Sequence, residues 1–352
     1  MTVGDDAASS AAKGATETLT QLLAKILNQL SLSAWLPSAA LVLIVTFAFN
    51  LAEQVGGREQ PVPLSQALGP TIASLSNIGF GGVTLLVMVV VVTTMLTQAF
   101  AFVSIRVLEG YWGTSKYLDR IASKKCSHHH GVRDGLAERY KKLSQTAWQQ
   151  VEAIASAETR PGGSEPRFSP AMLSKLEELV LGTLSEQQLS NKEQGVVDRY
   201  EWDSHVDNDT LRQRRVVGNR LSDYPAIVSH IMPTRLGNIL RRYEDDTHQD
   251  DVEHFVERVY DSLPFTMQLS HDEQRTRLDL YCSMAFVLWF AAITSSLGFD
   301  PSLWRYWVGS IVLAACGSTM TYFAAIATAR HYGSILAAIS EWSLTTMIKS
   351  QP

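Results

Sequence analysis

Residues 84–106 read TLLVMVVVVTTMLTQAFAFVSIR, twenty-two uncharged residues closed by an arginine. The valines suit a buried strand, but strands are usually about 5–6 residues long. As an α-helix the same stretch rises about 33 Å, enough to cross a hydrocarbon core of about 30 Å. Three more runs repeat the pattern without a single charge: AWLPSAALVLIVTFAFNLA (Ala34 to Ala52), LYCSMAFVLWFAAITSSLGF (Leu280 to Phe299) and WVGSIVLAACGSTMTYFAAIATA (Trp307 to Ala329). The first also invites a signal-peptide reading. Against it, roughly thirty polar or mildly amphipathic residues precede the run, and no convincing small-x-small cleavage site follows. The expectation is an all-α membrane protein with four transmembrane helices.

Charge is segregated to match. Of 30 Lys+Arg and 35 Asp+Glu, the stretch from Arg106 to Leu280 holds 24 and 28, leaving 6 and 7 elsewhere. That balance offers no basic field to attract nucleic acid, so no nucleic-acid partner is expected. The connection between the first two runs carries one basic residue, Arg58, and that between the last two carries Arg305. Arg106, Lys116, Arg120, Lys124 and Lys125 follow the second run, Arg275 and Arg277 precede the third, and Arg330 follows the fourth. The positive-inside rule then puts the polar middle and both termini in the cytoplasm of a plasma-membrane protein. Three cysteines, Cys126, Cys282 and Cys316, form no disulfide framework and fit a reducing compartment.

These patterns divide the chain into a disordered 1–14, an amphipathic helix over 15–33, and a first transmembrane pair over 34–106. A helical cytoplasmic domain over 107–279 is inserted before the second pair, 280–329, and a cytoplasmic helix closes the chain over 330–352. The spans thus form two hairpins. Within the middle, periodicity predicts helices over Leu136 to Ala157 and Met172 to Leu189, separated by the Pro/Gly-rich loop ETRPGGSEPRFSP.

Chemistry-bearing residues are many, but their patterns are weak. CSHHH (Cys126 to His130) has zinc-ligating residue types, yet adjacent side chains do not converge tetrahedrally and no second Cys/His pair follows at suitable spacing. It reads as a surface run. Asp203, Asp207 and Asp209 lack the glycine and distal glutamate of a calcium loop and read as a helix cap. No phosphate loop, zincin or nucleophile-elbow motif occurs, so neither cofactor nor metal is expected. In the spans, Asn50, Gln98, Thr93, Thr94, Ser318, Thr319 and Thr321 are expected to bond across helix interfaces.

The most distinctive polar stretch is MPTRLGNILRRYED, Met232 to Asp245. With Pro233 in its first turn, Leu236, Ile239, Leu240 and Tyr243 recur as one apolar face. Arg235, Asn238, Arg241, Arg242, Glu244 and Asp245 make the polar remainder, the candidate binding residues if the helix meets an anionic ligand or a partner. Domain packing is the favoured alternative. On that reading Leu240→Asp is disruptive and Asn238→Ala mild.

VLEGYWG (Val107 to Gly113), MPTRLGNILRRYED and RHYGSILAAI (Arg330 to Ile339), in this order beside the spans, resemble motifs of a family of actinobacterial four-span membrane proteins. The resemblance implies the architecture across roughly Ala34 to Ile348 and no activity. Function is therefore expected to be that of a non-enzymatic interaction or signalling scaffold in the lipid bilayer, self-associating or binding a protein through its cytoplasmic domain. The alternatives are an oligomeric channel, with a layout similar to bestrophin-type channels, and a membrane-tethered enzyme.

Overall fold

The computed structural model describes residues 32–56, 64–77, 79–113, 115–157, 168–184, 188–247, 252–298 and 304–350. Among them every regular element is helical: α1 (Leu32–Gly56), α2 (Leu64–Ser76), α3 (Phe80–Glu109), α4 (Lys116–Ala155), α5 (Pro170–Leu181), α6 (Asn191–Tyr200), α7 (Asn208–Leu221), α8 (Arg235–Thr247), α9 (Val252–Val259), α10 (Phe265–Gly298) and α11 (Trp304–Ser350). Four of these, α1, α3, α10 and α11, are long and apolar enough to cross a membrane. Residues 1–14, all but the end of the predicted amphipathic helix over 15–33 and most of the ETRPGGSEPRFSP loop lie outside the described residues. The chain divides into two compact units, Met1–Gly113 with Asp246–Pro352, and Thr114–Asp245.

In the first unit α10 packs against α11, α1 and α3, and α1 also packs against α3 and α2. Arg275 meets Tyr332 and Leu288 meets Gly317, so α10 and α11 run antiparallel. Both outrun a bilayer: the 47 residues of α11 rise about 70 Å. α3 turns its apolar side chains outward, and only 6% of its most apolar window is buried within the chain. It stops at VLEGYWG for a visible reason. Gly110 adopts φ 108°, a left-handed conformation that suits glycine, and its N–H reaches the carbonyls of Arg106 and Val107. Trp112 Nε1 donates to Val107 O at 2.7 Å, and the Arg106 guanidinium lies 5.2 Å over the Phe102 ring and 4.8 Å over that of Tyr111.

The connection between α1 and α3 holds a helix that periodicity did not suggest. α2 folds back along α1, with Ala67 against Leu51 and Val55, and Ser74 Oγ donating to Asn50 Oδ1 at 3.1 Å. Asn50 therefore bonds across a helix interface, as does Ser38 with Thr97 at 2.5 Å. Other hydroxyls do otherwise: Thr94, Thr319 and Thr321 donate to carbonyls four residues back on their own helices. That bond needs no neighbour, which is why the expected interhelical role fails for them. Gln98 faces outward.

The second unit is built on α4, which starts at Lys116, twenty residues before the predicted Leu136. Its later turns supply Ala147, Val151 and Ala155 to a core with Phe168, Leu176, Val180, Tyr200 and Val206. α5 ends at Leu181 instead of reaching Leu189, because Gly182 adopts φ 79° and closes the helix on the carbonyls of Glu178 and Leu179. α6 opens with a capping box from Ser190 and Glu193.

Glu193 also accepts from Lys175 Nζ at 2.5 Å, tying α6 to α5. That bond first, and those from Ser190 next, hold its carboxyl down to about 2. A carboxylate depressed from 4.5 stabilises the fold fully above about pH 4.5 and loses that contribution as pH falls through about 2. Glu193→Gln is expected to melt lower than the wild type at neutral pH. Its melting temperature should also fall less between about pH 4.5 and about pH 2. Parallel curves in circular-dichroism melts of the two proteins would refute this role.

Candidate functional site

α8 begins at Arg235, and Pro233 lies before it, outside its first turn. Thr234 serves as the cap: its Oγ1 accepts from Gly237 N–H at 3.0 Å, and its carbonyl from Asn238 N–H at 3.1 Å. The buried face also differs from the apolar spacing. Leu236 and Ile239 are buried as predicted, but Asn238 is fully buried beside them, while Leu240 and Tyr243 are only half-buried. Asn238 tolerates this because the backbone saturates its amide. Oδ1 accepts from Met232 N–H at 2.8 Å, and Nδ2 donates to Met232 O at 2.9 Å and Thr234 O at 2.7 Å.

The same helix face holds the preceding loop along its length. Arg235 donates through Nη2 and Nε to Asp223 Oδ2, at 2.8 and 3.2 Å, and Asp223 is buried. Arg242 Nη1 donates to Ser222 O, and His230 Nδ1 lies 2.7 Å from Asp245 Oδ1. Residues 235, 238, 242 and 245 are spaced three, four and three apart, a single polar stripe. Arg241 and Glu244 lie off it and pair with each other at 2.9 Å.

α4 grips the loop with a second stripe. Cys126 Sγ donates to Ile231 O at 3.4 Å, His129 Nδ1 shares a hydrogen bond with Tyr224 OH at 3.1 Å, and Arg133 Nη2 donates to Ala226 O at 3.2 Å. Burial pushes the Cys126 thiol up, so it stays a protonated donor. Burial first, then the charges of His128, Lys125 and Arg235, push the His129 imidazole down, toward its neutral form. Burial likewise raises the Tyr224 phenol. CSHHH is therefore more than a surface run: Cys126 and His129 face the loop, whereas His128 is exposed. Asp207 caps α7, as its spacing suggested, accepting from Asp209 and Thr210 N–H at 3.1 and 3.2 Å. Among the described residues no three His, Cys, Asp or Glu side chains gather to hold a metal ion.

Gripped from both sides, the loop carries two apolar residues outward. Ile227 is 49% exposed and Val228 46%. Such side chains on a rigid loop resemble the pre-organised anchors of protein interfaces.

A second candidate lies in the other unit, where α9, the turn after it, α10 and α11 border an open pocket of about 440 Å³. His271 is one of its lining residues. Its Nδ1 is 3.0 Å from Asp272 Oδ1 and its Nε2 3.2 Å from Tyr332 OH, which also receives Arg275 Nη1 at 3.4 Å. Tyr260 OH donates to Asp272 Oδ2 at 2.5 Å, and that bond raises its phenol. Glu257 and Asp261 complete the polar rim. Sequence reasoning missed this site because its residues come from three separated stretches. Tyr332 in RHYGSILAAI was the available signal.

The chain matches no protein-family model, no curated protein and no solved structure.

Asn238→Ala leaves the Met232 N–H and carbonyl without their partner, while Thr234 O keeps the backbone N–H of residue 238, and should destabilise by about 2 kcal/mol. Leu240→Asp, at a half-buried position, should cost about 1 kcal/mol. This reverses the order expected from the apolar spacing. Thermal melts of the two variants check it, and a larger loss for Leu240→Asp would contradict it.

Proposed function

We propose that this protein is a four-span scaffold of the bacterial plasma membrane, with two helical hairpins and the polar segment 107–279 inserted between them on the cytoplasmic side. Both termini lie on that side in this reading. The distribution of lysine and arginine beside the apolar runs supports the orientation. The resemblance of VLEGYWG, MPTRLGNILRRYED and RHYGSILAAI to the actinobacterial four-span family fits the same layout.

One observation carries the scaffold reading. The most distinctive stretch of sequence directs its polar groups inward, onto the loop from Ser222 to Thr234, and that loop presents Ile227 and Val228 to solvent. Arg235, Asn238, Arg242 and Asp245 then act by positioning an apolar surface. The surface takes a protein, and a second copy of this chain is the simplest occupant.

A different observation favours self-association within the bilayer. Gln98 points outward from α3 among lipid-facing Met95, Leu96 and Phe102. A primary amide in hydrocarbon gains by pairing with the same amide of another copy.

Light scattering coupled to size exclusion tests both readings on the detergent-solubilised chain. The expected result is an oligomer that Ile227→Asp with Val228→Asp dissociates, without lowering the melting temperature. If Gln98→Leu dissociates it instead, the contact lies in the membrane. A monomeric wild type at micromolar concentration would overturn self-association.

A further inference from the structure

α4 grips the loop from Ser222 to Thr234 with one side only, through Cys126, His129 and Arg133. Tyr117, Ile121, Lys124 and His128, spaced four, three and four apart, form a second stripe, with Arg120 alongside. It stands roughly 150° round the helix from the first. All five of these residues are exposed, Tyr117 by 78% and Ile121 by 49%. Asp119, the sole acid between Lys116 and Arg133, lies toward the other side of the helix. Among the described residues neither Arg120 nor Lys124 pairs with a carboxylate. The outer face of the first turns of α4 is thus apolar and cationic at once.

Covalent reach ties this face to the end of α3. The Trp112 indole donates to Val107 O and the Tyr111 ring lies 4.8 Å from the Arg106 guanidinium, so the chain stays at the last turn of α3 through Trp112. Lys116 follows four residues later, at most about 14 Å away. α3 is long and apolar enough to cross a membrane, and its uncharged run ends at Arg106. A bilayer surface is therefore within reach of the first turns of α4. The side chains suit that surface: tyrosine favours the membrane–water boundary, and lysine and arginine lay their stems on apolar matter while their heads stay in water. The chain as a whole carries a net charge of −5, so any attraction to an anionic surface must come from a local patch such as this.

We propose that the face of α4 formed by Tyr117, Arg120, Ile121 and Lys124 docks on the surface of an anionic phospholipid bilayer. Arg120 and Lys124 meet headgroup phosphates, while Tyr117 and Ile121 enter the boundary between headgroups and acyl chains. One helix then holds the 222–234 loop with one side and lipid with the other. From the four-span reading this inference takes only that α3 lies in a bilayer, and not which side the polar segment occupies.

The test places a bimane fluorophore at Ser127→Cys in the full chain, with Cys126→Ser, Cys282→Ala and Cys316→Ala removing the native thiols. Ser127 is exposed, bonds only within its own helix, and follows Lys124 by three residues and Arg120 by seven. The protein is reconstituted in nanodiscs of phosphatidylcholine alone or mixed with phosphatidylglycerol, each containing lipid with a nitroxide on its headgroup. Both leaflets are alike, so the result does not depend on the sidedness of the chain. Quenching of the bimane is expected in the anionic discs, little in the neutral ones, and less in the anionic discs at high salt. Arg120→Gln with Lys124→Gln should lower the ratio of docked to undocked helix about 25-fold, at about fivefold per basic residue. Tyr117→Ser with Ile121→Ser should also reduce quenching. Both pairs lie at exposed positions and should leave the melting temperature unchanged. Equal quenching in neutral and anionic discs, or quenching that survives Arg120→Gln with Lys124→Gln, would overturn the proposal. A probe that lipid leaves unquenched but that is shielded from aqueous iodide would overturn it too, and would mean that protein covers this face.

Discussion

Hydrocarbon tolerates no unpaired polar group, and the rest of this structure follows from that constraint. It forces the apolar runs into helices, whose backbone bonds are internal. It also governs the few polar side chains inside them. Thr94 and Ser104 bond back to their own helix, Ser38 reaches Thr97, and Asn50 draws the uncharged α2 back along α1. Where a helix must stop, as at VLEGYWG, the last carbonyls are taken by Gly110 N–H and the Trp112 indole.

Outside the apolar segments the same accounting takes another form. A long loop between α7 and α8 has backbone and side-chain polar groups to satisfy, and two helices meet them with polar stripes: Cys126, His129 and Arg133 from α4, and Arg235, Asn238, Arg242 and Asp245 from α8. Asn238 is the centre of this arrangement because one buried amide meets three backbone groups. The loop becomes a fixed surface element, which is the property an interaction site requires.

Much of this architecture was legible in the sequence, and the reasons for the misses are specific. Four uncharged runs announce four helices because length and charge alone decide that question. α2 escaped because thirteen residues with Gly69 and Pro70 look like a connection. Asn238 escaped because amphipathic spacing counts apolar residues and treats an amide as surface, although the three-four-three polar spacing of α8 was visible. Gly182 lay in view inside a predicted helix, and its left-handed backbone ended that helix early. The pocket beside His271 depends on α9 meeting α10 and α11, a juxtaposition no local pattern contains.

Everything proposed for the polar segment depends on which side of the membrane it occupies. Single cysteines at Ser65 and Ser164, in a chain lacking Cys126, Cys282 and Cys316, report that side through a membrane-impermeant maleimide applied to intact cells. The expected result is labelling at Ser65, and labelling at Ser164 only after permeabilisation. Labelling at Ser164 but not at Ser65 in intact cells would contradict the proposed topology and the cytoplasmic scaffold with it.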